Sequence, residues 1–324
     1  MKNNICPYCL EQKTIAARKD KDEKSHYSCS ACNSRIPRGY AENTKTPIEV
    51  VSAVGFRGHG KTIYFSSLFY SRDILASIWP DFYTLPADEE TLKTIKKNIT
   101  ELEKEDLPPR TPISFPKPTI VEFCNIPGLG NRFFIFYDTG GETYETPSDL
   151  GQYALFVKRS QTVIFLISLE DLVHEEIDMY DLLQVYVLGL NDKLEGNTKN
   201  QHLIVVFCKG DILEPRLRRW EEIWEYLING RLESMKNISI GNYIDGMKRI
   251  SGLLKDFTKT ELKENQFINC AKNRFKSYDF SIVSSLGSNP IENRLRTKIN
   301  PKRIFDPLLW IIYKSLSRFK KIQL

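Results

Sequence analysis

The chain has 324 residues, of which 41% are hydrophobic and 27% charged, so it resembles a folded globular protein and not a disordered chain. Lysine and arginine outnumber aspartate and glutamate by 46 to 41, a mild excess that permits contact with phosphates without requiring it. No apolar run is long enough to span a membrane, and the first residues lack the apolar region of a secretory signal.

The first 40 residues contain two cysteine pairs, Cys6–Cys9 and Cys29–Cys32, each spaced C-x-x-C. Two such pairs offer four thiolates to one tetrahedral zinc ion, and we favour this over a redox role for either pair. The chain is long and has an odd total of seven cysteines, so we expect a reducing cytoplasm and no disulfide framework. The sequence therefore predicts a zinc ribbon over residues 1–40, followed by a polar linker at 41–47.

The role of this ribbon is left open by its composition. Basic and aromatic side chains such as Arg18 and Tyr27 suit contact with nucleic acid, but acidic side chains such as Asp20 and Asp22 dilute their charge. Docking of a protein partner is the alternative.

A glycine-rich turn follows the first apolar run of the next segment. Residues 48–54 are β-branched and apolar and predict a buried strand, and residues 61–78 have a helical pattern. The turn between them fits G-x-x-x-x-G-K-[ST], in which backbone N–H groups surround phosphate oxygens, the lysine reaches the terminal phosphates and the hydroxyl ligates Mg²⁺. The predicted phosphate-binding residues are Gly55, Arg57, Gly58, His59, Gly60, Lys61 and Thr62.

An antiparallel hairpin is predicted at residues 119–137, after a proline-rich extended loop at 107–118. Asp138-Thr-Gly-Gly141 comes directly after the second hairpin strand. An aspartate at the end of an apolar strand can hold the Mg²⁺ shell, commonly through water, and the Gly141 N–H can contact a γ-phosphate. We therefore predict that Asp138 and Gly141 face the glycine-rich turn.

Two further motifs follow predicted strands at residues 202–208 and 278–284. Asp211, in Cys208-Lys-Gly-Asp, can accept hydrogen bonds from N1–H and the 2-amino group of guanine, whereas adenine has no donors in that arrangement. The stem of Lys209 can lie across the purine ring. Backbone N–H groups in the turn that contains Ser285 and Leu286 can bond guanine O6.

The remaining segments are predicted to be mostly helical. Residues 214–275 contain more chain than one crossover helix needs, so we expect a helical insert there. A helix at 303–321 closes a domain that spans 48–321. From Glu292 onward there are nine basic and two acidic residues; packing of this helix on the sheet is the favoured interpretation, and docking on an acidic membrane or a partner is the alternative.

Taken in order, these motifs resemble those of the TRAFAC-class P-loop GTPases. The resemblance rests on Gly55–Thr62, Asp138–Gly141, Cys208–Asp211 and, loosely, Ser284–Leu286. It implies an α/β fold with a mostly parallel six-stranded sheet and one antiparallel hairpin, Mg²⁺-dependent binding of GTP and GDP, and switch loops around the γ-phosphate. In layout the chain is also similar to GTPases of bacterial defence systems, some of which act beside a second GTPase.

At three positions we compare this chain with the pattern that is usual in these GTPases. The resemblance implies a switch threonine that completes the Mg²⁺ shell; we select Thr111, with Thr119 as the alternative. Family members usually have Asn or Thr where Cys208 stands, so guanine affinity is expected to be reduced. Glu142 stands where a water-orienting glutamine is common, which favours slow or differently organised hydrolysis.

The sequence thus predicts a guanine-nucleotide switch or slow GTPase with a ribbon that docks an effector or a second GTPase. Its predicted catalytic residues are Lys61, Thr111, Gly141 and Glu142, and its Mg²⁺ ligands are Thr62, Thr111 and Asp138. Three alternatives stay open: an ATP-dependent P-loop enzyme in which the motif at Asp211 is coincidental, a nucleotide-loaded scaffold that does not hydrolyse, and a nucleic-acid-binding zinc protein.

Overall fold

The computed structural model describes residues 5–12, 15–19, 25–43, 45–109, 111–173, 178–213, 217–230, 240–290, 294–295 and 297–322. Parts of the predicted linker and of the predicted helical insert, including residues 231–239, lie outside these ranges. Within them, no helix has the length and apolar character that crossing a membrane requires.

The cysteine-rich segment forms a small antiparallel sheet. It consists of β1 (Ile15–Lys19), β2 (Ser25–Cys29) and β3 (Arg35–Ile36), followed by the short helix α1 (Arg38–Glu42). The strands pair in the order β1-β2-β3, and each cysteine pair lies in or beside a tight turn.

The rest of the chain forms an α/β structure around one large sheet. Its strands are β4 (Ile48–Val54), β5 (Tyr83–Pro86), β6 (Thr119–Ile126), β7 (Gly130–Tyr137), β8 (Thr162–Ser168), β9 (His202–Cys208) and β10 (Ser277–Ile282). They lie in the order β10-β9-β8-β4-β7-β6-β5. From β10 to β7 the pairs are parallel, whereas β6 is antiparallel to both β7 and β5.

The predicted number of six strands was wrong, because the sheet has seven. The extra strand is β5, a four-residue edge strand that pairs with β6 only. Its side chains alternate between exposed and partly exposed, so the sequence shows no apolar run there. The hairpin of β6 and β7 and the α/β class are confirmed.

Helices cover both faces of this sheet. They are α2 (Lys61–Tyr70), α3 (Arg72–Ile78), α4 (Glu89–Glu103), α5 (Pro147–Tyr153), α6 (Leu169–Val173), α7 (Met179–Leu188), α8 (Glu221–Ile228), α9 (Ile240–Thr260), α10 (Asn265–Arg274) and α11 (Asp306–Ile322). Side chains of α2, α3, α4 and α11 share one buried cluster with the sheet, and those of α5, α7 and α10 share the other. Because both faces are covered, every residue of β8 and β9 is buried.

The cysteine-rich sheet packs on the face that carries α5 and α7. Cys6, Leu10 and Tyr40 belong to the same buried cluster as Val50 and Tyr137 of the large sheet. The Tyr40 ring meets the Phe133 ring edge to face, with centroids 5.7 Å apart. The two parts of the chain therefore share one continuous apolar core.

Two predicted helices differ in the structure. The helix predicted at 61–78 is divided at Ser71 into α2 and α3, and the one predicted at 303–321 begins at Asp306. In the described part of 214–275 the chain is helical, as predicted. The helix α9 contributes to both buried clusters, so it lies against the core instead of extending away from it.

Candidate functional site

The glycine-rich turn lies between β4 and α2, at the carboxyl end of the parallel strands. Gly58 and Gly60 have φ angles of 84° and 75°, a left-handed conformation that side chains with a Cβ rarely adopt. Gly60 is also the N-cap of α2, so the unpaired N–H groups of the first helical turn face the concave side of the loop. This strand–loop–helix arrangement is the geometry that holds phosphate groups.

Lys61 is folded back into the loop. Its Nζ donates hydrogen bonds to the carbonyl oxygens of Gly55, at 2.6 Å, and Phe56, at 3.2 Å. The side chain is only 6% exposed, and burial lowers the pKa of its ammonium group to about 8. The described hydrogen bonds of this buried cation go to neutral carbonyl oxygens, so an anion arriving beside it is favoured.

Three oxygen-bearing side chains predicted to hold Mg²⁺ lie together opposite the loop. The hydroxyls of Thr62 and Thr111 are 2.7 Å apart, and Thr111 Oγ1 donates to Asp138 Oδ2 at 3.3 Å. Asp138 Oδ1 is buried and has no hydrogen-bond partner in the described structure, and burial raises the pKa of this carboxyl. Hard oxygen donors with an unsatisfied carboxylate fit a small divalent cation such as Mg²⁺. Thr119 lies instead at the start of β6.

Gly141 and Glu142 approach the glycine-rich loop at Arg57. A Cβ on Gly141 would lie 2.1 Å from the backbone nitrogen of Arg57, so this close approach of two loops requires glycine. The Glu142 carboxylate lies 3.7 Å from the Arg57 guanidinium, and both side chains are partly exposed. The negative charge of Glu142 is therefore partly balanced by the loop that it faces.

Two adjoining cavities run along the glycine-rich loop. One, of about 160 Å³, is lined by Lys61, Thr62, Thr111 and Glu142 among others. The other, of about 130 Å³, contains the residues predicted to read a base: Lys209, Asp211, Ser285 and Leu286. Both cavities are bordered by Gly58, Gly60 and Ile63, so a single elongated ligand can occupy both.

The second cavity is lined by the turns that follow β9 and β10. Burial raises the pKa of the Asp211 carboxyl, and a hydrogen bond from Ser284 acts in the opposite direction. Ser284 exchanges backbone hydrogen bonds with Lys302, which ties this turn to the segment before α11. The carboxylate of Asp211 thus stands on a braced wall of the second cavity.

His59 differs from the other predicted phosphate-binding residues, because its side chain lines neither cavity. It is fully buried beneath the loop, where its Nδ1 lies 2.9 Å from the carbonyl oxygen of Leu166. Because a carbonyl only accepts, Nδ1 carries the proton. Burial lowers the pKa of the His59 imidazole to about 4, so the ring is neutral near pH 7.

Sequence reasoning missed the contacts that brace this loop from below. The Cys208 thiol donates to the carbonyl oxygen of His59 at 3.1 Å, so this side chain supports the glycine-rich loop. Glu170 and Asp171, at the start of α6, bind the Nζ of Lys209. An acidic pair directly after the buried strand β8 was the available signal, because carboxyl ends of parallel strands meet at one edge.

The four paired cysteines converge at one point. Their sulfurs all lie within 4.8 Å of one another, with 3.7 Å between Cys6 and Cys32 and 3.8 Å between Cys9 and Cys29. A tetrahedral zinc ion with Zn–S bonds of ~2.3 Å separates its sulfurs by about 3.8 Å. Backbone N–H groups of Tyr8 and Ala31 point at two of the sulfurs, each at 3.4 Å, as suits thiolate charge. The cluster therefore fits zinc.

Comparison with known proteins gives remote similarities only. No protein-family model and no curated protein matches the chain. Among solved structures, the S. cerevisiae Ski7 GTPase-like domain bound to GDP and inorganic phosphate has a TM-score of 0.39 and 14% identity, covering 84% of this chain and 50% of that one. Translation elongation factor SelB from Methanococcus maripaludis, in complex with the GTP analogue GPPNHP, has a TM-score of 0.28 and 11% identity, covering 75% and 31%.

This chain therefore spans half or less of the length of those proteins. At TM-scores below 0.5, the similarities do not establish a function for it.

Proposed function

We propose that this protein binds guanine nucleotides with Mg²⁺ and acts as a switch or slow GTPase that converts GTP to GDP and phosphate. The observation that carries the proposal is the pair of adjoining cavities along one glycine-rich loop. One end offers a buried lysine and a group of hard oxygen donors, and the other offers a carboxylate on a braced turn. The phosphates of a nucleoside triphosphate match the lysine and the Mg²⁺-binding oxygens, and the hydrogen-bond donors of its base match the carboxylate.

At the phosphate end, each residue has a task that follows from its position. Lys61 exchanges its carbonyl partners for β- and γ-phosphate oxygens, which hold its charge better than carbonyl groups do. Thr62, Thr111 and Asp138 would hold Mg²⁺, which when bound neutralises phosphate charge. Gly141 presents its backbone N–H toward the γ-phosphate. Loss of that phosphate removes the contacts that order the loops around Thr111 and Gly141.

At the base end, Asp211 accepts hydrogen bonds from guanine N1–H and the 2-amino group, and Lys209 lies against the ring. An ATP-dependent enzyme is the competing function, and it requires that Asp211 play no part in reading the base. A nucleotide-loaded scaffold requires that bound GTP persist without turnover.

The zinc ribbon is proposed as the part that docks a partner, either an effector or a second GTPase. Its packing against the core near Tyr137, the residue before Asp138, supports a link to the nucleotide site. Nucleic acid as its partner, peripheral membrane contact, a cytoplasmic location and a role in bacterial defence stay predictions.

The experiment is to measure GTP and GDP affinity with and without Mg²⁺, together with GTP turnover, for the wild type and Lys61→Ala. We expect Mg²⁺-dependent binding in which Lys61→Ala lowers affinity for both nucleotides, with slow release of phosphate from GTP. Tight binding without turnover would identify the scaffold. Absence of binding by the wild type would contradict the proposal.

A further inference from the structure

The acidic pair Glu170–Asp171 lies beside the base-reading motif. Both residues belong to the first turn of α6, directly after the buried strand β8. Glu170 Oε2 is 3.0 Å from Lys209 Nζ, and Asp171 Oδ1 is 3.6 Å from the same atom. The three side chains are between 18% and 32% exposed, so solvent only partly screens these contacts.

This pairing has a consequence for Asp211, two residues after Lys209. An ammonium and a carboxylate so close in sequence can neutralise each other, which would occupy the oxygens that read guanine. Among the described ion pairs, Lys209 pairs with Glu170 and Asp171 and not with Asp211. Lys209 also has a φ of 58°, a left-handed backbone conformation that residues other than glycine adopt only rarely.

The same acidic pair also reaches the phosphate loop. Asp171 Oδ2 lies 3.6 Å from Nε2 of His59, and this nitrogen is buried without a hydrogen-bond donor in the described structure. Asp171 therefore stands between the loop that holds phosphates and the lysine that lies against the base.

We propose that Glu170 and Asp171 are positioning residues for guanine recognition. They hold Lys209 so that its stem forms one wall of the base cavity, and they keep its ammonium from pairing with the Asp211 carboxylate, which can then accept from guanine. This inference rests on the proposed function and deepens it, because it assigns the guanine preference to residues outside the recognised motif.

The test compares GTP with ATP by calorimetric titration in Mg²⁺ of the full chain, using Glu170→Gln, Asp171→Asn and the double variant. Asn at 171 can donate its amide N–H to Nε2 of His59, so this substitution leaves no new unpaired group beneath the glycine-rich loop. In the double variant we expect GTP affinity to fall about tenfold relative to ATP affinity, the loss of charge-assisted hydrogen bonding. Both nucleotides carry the same triphosphate, so removing two negative charges near the site should raise both affinities equally. This effect therefore cancels in the ratio of GTP affinity to ATP affinity.

Glu222→Gln serves as the control, because it removes an acidic partner of Arg249 on the exposed side of α8 and should leave the ratio unchanged. If Lys209 is the residue being positioned, Lys209→Met should lower the ratio by itself and show no further loss when combined with the double variant. A wild type that prefers GTP, with variants that keep the same preference or lose both nucleotides equally, would overturn the inference. A wild type that binds ATP as well as GTP would instead contradict the proposed function.

Discussion

Glu142 lines the same cavity as Lys61 and Thr62, so under the proposed function its carboxylate would face the γ-phosphate, and the two negative charges would repel each other. The structure shows how this charge is accommodated: Arg57, in the glycine-rich loop, lies 3.7 Å from it. Because both side chains are partly exposed, the pair is weak and can open when a stronger anion competes for the arginine. Under the proposed function, Glu142 would therefore weaken the binding of a triphosphate more than that of a diphosphate.

We predict that Glu142→Gln raises the affinity for GTP about threefold relative to GDP, because only GTP brings a phosphate beside this side chain. Competition binding of GTP against GDP in Mg²⁺ measures the ratio. Glu145→Gln, an exposed neighbour, should leave it unchanged. An unaltered ratio in Glu142→Gln would show that the carboxylate does not face the γ-phosphate.

At the scale of secondary structure, continuous apolar runs were the most reliable signals. The strand predicted at 202–208 is confirmed, because a strand covered on both faces must be apolar throughout. The edge strand β5 has no such requirement and was not predicted. The break at Ser71 between α2 and α3 also has no glycine or proline to mark it, so tertiary packing decides it.

The start of α10 lies near the start of α7 and brings acidic groups together. Burial, together with the charges of Asp178 and Asp181, raises the pKa of Glu264 to about 7. The folded state therefore holds a proton that the unfolded state, with a pKa near 4.5, releases earlier. Stability conferred by this proton is complete below about pH 4.5 and is lost as pH rises toward 7.

We predict that Glu264→Gln removes this dependence. At pH 8 the variant should be more stable than the wild type by about 1–2 kcal/mol, allowing for solvent screening of a partly exposed group, and at pH 4.5 the difference should be small. Denaturant unfolding at the two pH values measures it. Equal stability at pH 8, or a gain that does not depend on pH, would refute the assignment.

For the whole molecule, the ribbon and the α/β part behave as one packed unit. The hydroxyl of Tyr137, at the end of β7, donates to the carbonyl oxygen of Pro7 inside the first cysteine pair, and Arg159 donates to the carbonyl of Leu10 at 3.0 Å. The Tyr137 ring stacks on Phe156 with centroids 4.7 Å apart. These contacts join the first cysteine pair to the large sheet and to the segment before β8.

We predict that removing zinc with a chelator lowers the thermal stability of the whole chain in a single transition. A zinc ion on the four cysteines would order the turn that Tyr137 contacts, so its removal would take packing from both sides of the shared core. Calorimetry before and after chelation measures the change, with Cys270→Ser as a control because Cys270 lies outside the cluster. Two separate transitions, with the α/β part unmoved, would contradict this.

The sequence predicted the motif residues of the candidate site but not the contacts between residues that are distant along the chain. Motifs with fixed spacing identified Lys61, Asp138 and Asp211, since each chemistry requires particular residue types after a strand. The sequence could not reveal that Asp171 lies between His59 and Lys209, because that proximity depends on how β8 and β9 pair. The sequence favoured Thr111 with Thr119 as the alternative; the structure brings Thr111 to Thr62 and Asp138 and places Thr119 at the start of β6.

The central claim is that the second cavity reads guanine through Asp211. Its most direct test is calorimetric titration of the zinc-loaded protein with GTP and ATP in Mg²⁺, for the wild type, Asp211→Ala and Asp211→Asn. We predict that GTP binds more tightly than ATP to the wild type and that both variants lose this preference while ATP affinity is unchanged. Equal affinity of the wild type for ATP and GTP, or a preference that survives both substitutions, would contradict the account.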